Sequence, residues 1–367
     1  MAIAKRFSID KSDINTVPVT KFQAIADFFV FLGLSVAYVF QSIYYTICGW
    51  PEKDLNNELC VITGGGGGLG RLLARRLIRL GVKVILWDIN QDGLDESLQM
   101  LESLGGWCRT QKVDISRREE VYKAAEEIKN NFGDVTMLFN NAGVVSGRAL
   151  LDTPDHLIER SFSVNALAHF WTVKAFLPTM LEKDHGHIVS IASMAGYVGI
   201  PKLIDYCSSK FAVVGFDEAL RLELEMLGAD GVHTTVICPY FIQATGMFED
   251  VNSRWVNTLN SENVADRIID AVRKNEKFTL IPWYFSVLLA VKWIVPWGCT
   301  SGFLRRLVPD ATPQHHLAQG SPSITKQEEM HSKNIHINNN NNNNNNINNK
   351  SLLIQRISAS TLGERVL

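Results

Sequence analysis

Five consecutive glycines lie between two segments of opposite periodicity, and that placement restricts the fold more than anything else in the chain. Leu59-Cys-Val-Ile-Thr63 is a short apolar run of the length and β-branched content of a buried parallel strand. It leads directly into Thr63-Gly-Gly-Gly-Gly-Gly-Leu-Gly70. Arg71 to Leu80 follows, with Leu72, Leu73, Leu77 and Leu80 at helical spacing. The order is strand, glycine turn, helix. Glycines let the backbone approach a pyrophosphate, and a helix N-terminus offers free N–H groups and a positive dipole end. Two templates fit the run. One is Gly-x-Gly-x-x-Gly on Gly65, Gly67 and Gly70; the other is Thr-Gly-x-x-x-Gly-x-Gly on Thr63, Gly64, Gly68 and Gly70.

Val82-Lys-Val-Ile-Leu-Trp-Asp88 reads as the next strand. An acid about 20 residues past such a turn accepts hydrogen bonds from a ribose 2′-OH and repels a 2′-phosphate. No Lys or Arg lies within Gly64 to Gly70, and Ile89 follows the acid. NAD is therefore favoured over NADP. A plain capping or loop role for Asp88 is the competing reading.

A second cluster lies further on. Tyr206 and Lys210 are four positions apart in Tyr206-Cys-Ser-Ser-Lys210, and Ser193 comes 13 residues before the tyrosine. The four-residue step puts phenol and ammonium on one helix face, and the interval to Ser193 suffices to leave a strand and enter that helix. A nearby ammonium favours tyrosinate, so the spacing predicts a tyrosine pKa below ~10 and a base able to take a proton from an alcohol. Between the two clusters, a strand from near Trp107 ends at Asp114, and Ser116-Arg-Arg-Glu119 reads as a capping box. Val135 to Phe139 is another buried strand, and a helix is predicted from about Asp155 to Leu181. Asn165 falls inside that helix although Asn is a poor helix former.

Taken together, these residues resemble the short-chain dehydrogenase/reductase family. The resemblance covers about residues 57 to 250. It rests on Thr63-Gly64 with Gly68-Leu69-Gly70, Asp88, Asp114, Asn140-Asn141-Ala142-Gly143, Asn165, Ser193, Tyr206 and Lys210, in that order. The finer resemblance is to the membrane-anchored retinol dehydrogenase and 17-beta-hydroxysteroid dehydrogenase branch. It rests on the apolar N-terminal segment, His187-Ile-Val-Ser-Ile-Ala-Ser193, and Cys238-Pro-Tyr-Phe-Ile followed by Thr245-Gly-Met. This chain has Pro239-Tyr240 where the family usually has Pro-Gly, and Thr245 lies a residue or so further on than usual.

The resemblance implies an α/β fold, a Rossmann-like doubly wound parallel sheet. It also implies catalysis by Ser193, Tyr206, Lys210 and Asn165, with Asn165 holding a water in a proton relay to the lysine. NAD contacts are implied for Thr63, Gly64, Gly68, Leu69, Gly70, Asp88, Asp114, Asn141, Ala142, Gly143, Tyr206, Lys210, Pro239 and Thr245, with Asp114 at the adenine. The implied substrate is a lipophilic alcohol such as retinol, a steroid or a long-chain alcohol, bound in a pocket shaped by residues Tyr240 to Trp255. Family members often form homodimers. Two other readings share these residues: an NADPH-dependent carbonyl reductase, and a catalytically silent membrane or lipid-droplet surface protein.

The chain has 367 residues, room for one domain of about 250 with appendages at both ends. Its net charge of −2 gives no reason to expect a nucleic-acid partner. The six cysteines show no metal-ligand spacing and read as free thiols. Phe28 to Ile47 carries no charge and would span about 30 Å as a helix, enough to cross a bilayer. Tyr44, Tyr45 and Trp50 suit an interface at its end. Lys5, Arg6, Lys11 and Lys21 precede it and Lys53 alone follows before Arg71, which by the positive-inside rule puts the domain in the lumen. The predicted domain has no Asn-x-Ser/Thr acceptor, which favours instead a cytosol-facing domain on endoplasmic reticulum or lipid droplets.

A second apolar stretch runs from Ile281 to Val291 and on to Trp297, interrupted by Pro282 and Pro296. It reads as a membrane-contacting lid over the substrate entrance. The polar tail contains an unbroken asparagine run, Asn338 to Asn346. The expected organisation is thus a flank at 1–27, an anchor at 28–47, a catalytic domain at 57–280, the apolar segment at 281–310 and a disordered tail at 311–367.

Overall fold

The computed structural model describes residues 21–243, 247 and 256–307. Thr245 and the 311–367 tail lie outside the described residues, as do most of the 1–27 flank and of the Tyr240–Trp255 segment.

Seven parallel strands form one sheet: β1 (Leu59–Thr63), β2 (Lys83–Asp88), β3 (Cys108–Lys112), β4 (Met137–Asn140), β5 (Gly186–Ile191), β6 (Val232–Pro239) and β7 (Phe278–Ile281). Their spatial order is β3-β2-β1-β4-β5-β6-β7. Strands covered on both faces need continuous apolar runs, and β1 and β4 are buried at every residue. Helices α2 (Gly68–Arg79), α3 (Gln91–Glu102) and α4 (Arg118–Phe132) follow the first three strands. Then come α5 (Asp155–Phe162), α6 (Ala168–Lys183), α7 (Ile204–Met226) and α8 (Ser261–Arg273). The order reverses between β1 and β4, where a doubly wound sheet opens a crevice at its carboxyl edge.

Four local readings change. The glycine helix starts at Gly68 rather than Arg71, so Gly68, Leu69 and Gly70 form its first turn. Strand β3 stops at Lys112, which leaves Asp114 in the loop beyond. Ser116 is not a cap: Arg117 holds that position without a side-chain bond, and Ser116 donates its hydroxyl to Asp114 Oδ1 at 2.6 Å. The helix expected from Asp155 to Leu181 is interrupted by a π turn at Ser163–Leu167, and Asn165 sits in it. Such single-turn insertions are rare and frequently mark functional sites.

Helix α1 (Lys21–Cys48) is exposed along its length and is the one described helix long and apolar enough to cross a membrane. Its junction with the domain is held firmly. The Lys53 backbone donates to Arg273 O at 2.8 Å, and Lys53 Nζ lies 2.6 Å from His187 Nδ1 near the start of β5. These contacts are at the amino edge of the sheet, opposite the crevice. After β7 the apolar segment folds as α9 (Phe285–Lys292) and α10 (Trp297–Leu307), broken at Pro296. Phe285, Leu289 and Leu307 face inward, while Trp283, Trp293, Ile294 and Trp297 are each more than 70% exposed.

The glycines differ in what they tolerate. A Cβ on Gly70 would lie 2.2 Å from the Gly64 carbonyl oxygen, whereas one on Gly67 meets nothing nearer than 3.5 Å. Gly70→Ala is therefore expected to destabilise the fold by about 2–3 kcal/mol in urea unfolding, and Gly67→Ala by less than about 0.5 kcal/mol.

Candidate active site

One cavity of about 680 Å³ occupies the crevice, and the glycine turn, Asp88, Ser193, Tyr206 and Lys210 all line it. Gly64 takes φ +69°, and a Cβ there would come within 2.9 Å of Ala142 Cα, so the chain enters the turn only through glycine. Gly67 caps α2 without a side-chain bond, and the first turn of α2 contains no acid. The N–H groups of that turn remain available to an anion, which fits the pyrophosphate of a dinucleotide. Asp88 is fixed at the end of β2: its Oδ2 accepts from Gly66 N and its Oδ1 from Asn90 N, both at 3.0 Å. Asp114, Asn141, Ala142, Gly143 and Pro239 also line the cavity.

Thr63 does not. It is 1% exposed and lies behind the wall. Its hydroxyl accepts from Asn141 N at 3.0 Å and Ala142 N at 3.1 Å, and the Asn141 amide donates to Thr63 O at 2.9 Å. Together they fasten the exit of β4 to the exit of β1, which shapes the cradle from outside.

Ser193 follows β5 and Tyr206 and Lys210 lie on α7. Ser193 is hydrogen-bonded to the Tyr206 phenol. Its hydroxyl also accepts from Ala195 N at 3.1 Å. Lys210 is 3% exposed; its Nζ donates to Ile191 O at 2.8 Å and stands 5.7 Å from the centre of the Tyr206 ring. Burial lowers the Lys210 pKa to about 8. Tyr206 moves opposite to expectation. Its pKa is raised, chiefly by burial, and the Ser193 bond only partly offsets this. The spacing correctly places an ammonium beside the ring, but in this fold that ammonium is bonded to a carbonyl instead of the phenol oxygen. His169, on α6, is held neutral at a pKa of about 3 by burial and then by Lys210.

Asn165 is fully buried and its side chain is committed. Oδ1 accepts from Val144 N at 2.8 Å; Nδ2 donates to Val144 O at 2.9 Å and to Ser209 Oγ at 3.0 Å. Both amide protons are used, so the side chain fastens Val144 and α7 to the π turn.

The remaining walls are mostly apolar, with Arg160, Lys292 and Thr300 also on the lining. Met194, Val198, Leu203, Tyr240, Phe241 and Met247 combine with the inner faces of α9 and α10. Sequence reasoning did not place α10 in the cavity. The pairing of Leu304 and Leu307 with the exposed Trp297 was the available signal.

The model of the family described as short chain dehydrogenase matches residues 58–255. Over 302 residues, 81% of this chain and 96% of the other, the sequence is 41% identical to Epidermal retinol dehydrogenase 2 of Mus musculus. It is 40% identical to Estradiol 17-beta-dehydrogenase 11 of Rattus norvegicus over 74% of this chain and 91% of the other. A short-chain dehydrogenase/reductase from Burkholderia phymatum, solved with NAD, superposes with TM-score 0.61 at 25% identity, covering 66% of this chain and 95% of that one. The chain belongs to the short-chain dehydrogenase family, in its retinol and 17-beta-hydroxysteroid dehydrogenase branch. It is an enzyme of the alcohol dehydrogenase type.

The lowered Lys210 pKa has a testable sign. The folded protein binds that proton less tightly than the unfolded chain, so Lys210 contributes more stability as pH rises from about 8 towards 10. At pH 7 the buried charge is a net cost. Lys210→Met is expected to make the ligand-free protein about 2 kcal/mol more stable than wild type at pH 7, and the gap should close by pH 10. Paired urea melts at the two pH values measure this.

Proposed function

We propose that the protein is an NAD-dependent dehydrogenase interconverting a lipophilic alcohol and its carbonyl compound. The observation that carries this reading is the meeting of Ser193, Tyr206 and Lys210 in one cavity, with a phosphate cradle at one end and mostly apolar walls around the rest. The substrate hydroxyl would bond to Ser193 and Tyr206. Tyr206 accepts its proton as the carbonyl forms. Lys210, held by Ile191 O, supplies the positive charge that stabilises the phenolate, and it is placed to hold a ribose hydroxyl of the cofactor. Asn165 fixes the floor of the site through Val144 and Ser209. When bound, the oxidised dinucleotide supplies the hydride acceptor and a second positive charge beside that of Lys210.

Asp88 supports NAD over NADP. Its carboxylate already accepts from the glycine turn and would repel a 2′-phosphate. Arg71, just past the glycine turn, is occupied by Glu96 and Ser97 at 3.0 Å each. Asp114, which lines the cavity beyond β3, would contact the adenine. The names of the two relatives and the apolar walls support a retinoid or steroid alcohol as substrate.

Tyr206→Phe should lower turnover of retinol or estradiol by at least about 10³-fold while NAD binding changes less than twofold. NAD should bind at least tenfold more tightly than NADP in calorimetric titration, and Asp88→Ala should narrow that ratio. Turnover surviving in Tyr206→Phe would reject the assignment.

The same reading gives the appendages their roles. Residues 28–47 anchor the catalytic domain, 57–280, to endoplasmic reticulum or lipid droplets with the domain facing the cytosol. The 281–310 segment meets the membrane through Trp283, Trp293 and Trp297, while its inner face lines the substrate space. Since α1 joins the amino edge of the sheet and the lid covers the carboxyl edge, both reach one membrane only if α1 runs back past the domain. At about 42 Å it is long enough for strands of about 20 Å. Replacing the three tryptophans with Ser in protein lacking residues 1–48 should lower its binding to neutral phospholipid vesicles at least fivefold in a flotation assay. Equal binding would remove the lid from the membrane.

A further inference from the structure

The residue immediately before Tyr206 is a buried carboxylate with two hydroxyl partners. Asp205 is 5% exposed. Its Oδ1 accepts from Ser146 Oγ at 2.7 Å and its Oδ2 from Ser161 Oγ at 2.5 Å. Ser146 lies in the loop after β4, and Ser161 lies in the last turn of α5, just before the π turn. Asp205 therefore joins three segments. Removing a charged group from water is costly, so a carboxylate held this deeply carries a specific set of contacts.

Asn165 makes the matching connection one step along. It joins Val144 of the same loop, its own π turn, and Ser209 of α7. Asp205 and Ser209 are four apart on α7, and Ser161 and Asn165 are four apart on α5 and the π turn. The result is two buried rungs, Ser146–Asp205–Ser161 and Val144–Asn165–Ser209, between the same three segments. A pure α-helix turns 100° per residue and would rotate Ser161 and Asn165 about 40° out of line, whereas π winding nearly restores their alignment.

Helix α7 thus carries two adjacent i,i+4 rows. Tyr206 and Lys210 face the cavity; Asp205 and Ser209 face the rungs. Any rotation of α7 moves both rows together. We propose that Asp205 is a positioning residue: through Ser146 and Ser161 it fixes the rotation of α7 and so the aim of Tyr206 at the substrate hydroxyl. This rests on the reading of Tyr206 as the proton acceptor.

The test uses the full-length enzyme with Asp205→Ala and Asp205→Asn. Alanine removes both acceptors and leaves two hydroxyls unpaired. Asparagine keeps the shape, accepts from one serine and donates to the other. Asp205→Ala should lower kcat for the alcohol about 10- to 100-fold, with KM and NAD affinity changed less than twofold, as expected for a misaimed reactive group. Asp205→Asn should restore kcat to within about threefold of wild type. If Asp205→Ala does not fold, Ser161→Ala and Ser146→Ala each remove one leg. Each should lower kcat about 3- to 10-fold, and the pair should be non-additive.

An Asp205→Ala enzyme with wild-type kcat would overturn the inference. So would one whose loss lies in KM or NAD binding, or serine variants whose effects simply add. Those outcomes leave Tyr206 intact. An active Tyr206→Phe enzyme would instead remove the catalytic reading itself.

Discussion

The ammonium of Lys210 lies inside the protein, bonded to the last carbonyl of β5, and the neighbouring groups are arranged around that charge. Burial, and after it the Lys210 charge, keeps His169 neutral, and burial makes Lys210 itself hold its proton loosely. The phenol of Tyr206 is buried beside it and also neutral. The site without cofactor therefore carries one charge, on Lys210, beside a neutral phenol and a neutral imidazole. Proton affinities of this kind, pushed apart from their usual values by burial, recur where groups must exchange protons near neutral pH.

Two structural devices keep this arrangement in place. The exits of β1 and β4 are tied by Thr63 and Asn141, and this fixes the glycine cradle. The rungs through Asn165 and Asp205 fix α7 against the π turn and the loop after β4. The glycine cradle follows β1 and the Tyr206–Lys210 row lies on α7, beyond β5. The cavity between them continues under α9 and α10, whose outer faces carry exposed tryptophans. One helix pair is thereby cavity wall on its inner side and apolar surface on its outer side.

Much of this was legible in the sequence because it is encoded in local periodicity. Strand, glycine turn and helix are contiguous, and Tyr206 and Lys210 lie one turn apart, so both features survive without any tertiary knowledge. The first four strands followed from apolar runs, with errors of a few residues at their ends, whereas β6, β7 and the spatial order of the sheet came from the structure. What escaped was tertiary in origin. The π turn at Asn165 adds one residue to a helix turn, and only the partners on α7 and the β4 loop select it. Thr63 reads as a ligand-facing residue until the fold shows both its neighbours competing for its hydroxyl. Spacing placed an ammonium near Tyr206 but could not give its direction or the extent of burial, and burial reversed the expected pKa shift. Asp205 and Ser209 repeat the spacing of Tyr206 and Lys210 and could have been noticed from that repetition alone.

The central claim is that the fold holds Tyr206 neutral until the cofactor brings positive charge. Tyrosinate absorbs in the near ultraviolet, and Tyr206→Phe subtracts the other tyrosines. A pH titration of wild type minus variant, with and without saturating NAD, isolates this one phenol. The account predicts no tyrosinate from Tyr206 below about pH 10 in the free protein, and its appearance at lower pH once NAD is bound. Ionisation of Tyr206 at or below the ordinary tyrosine value without cofactor, or a titration that NAD leaves unmoved, would contradict it.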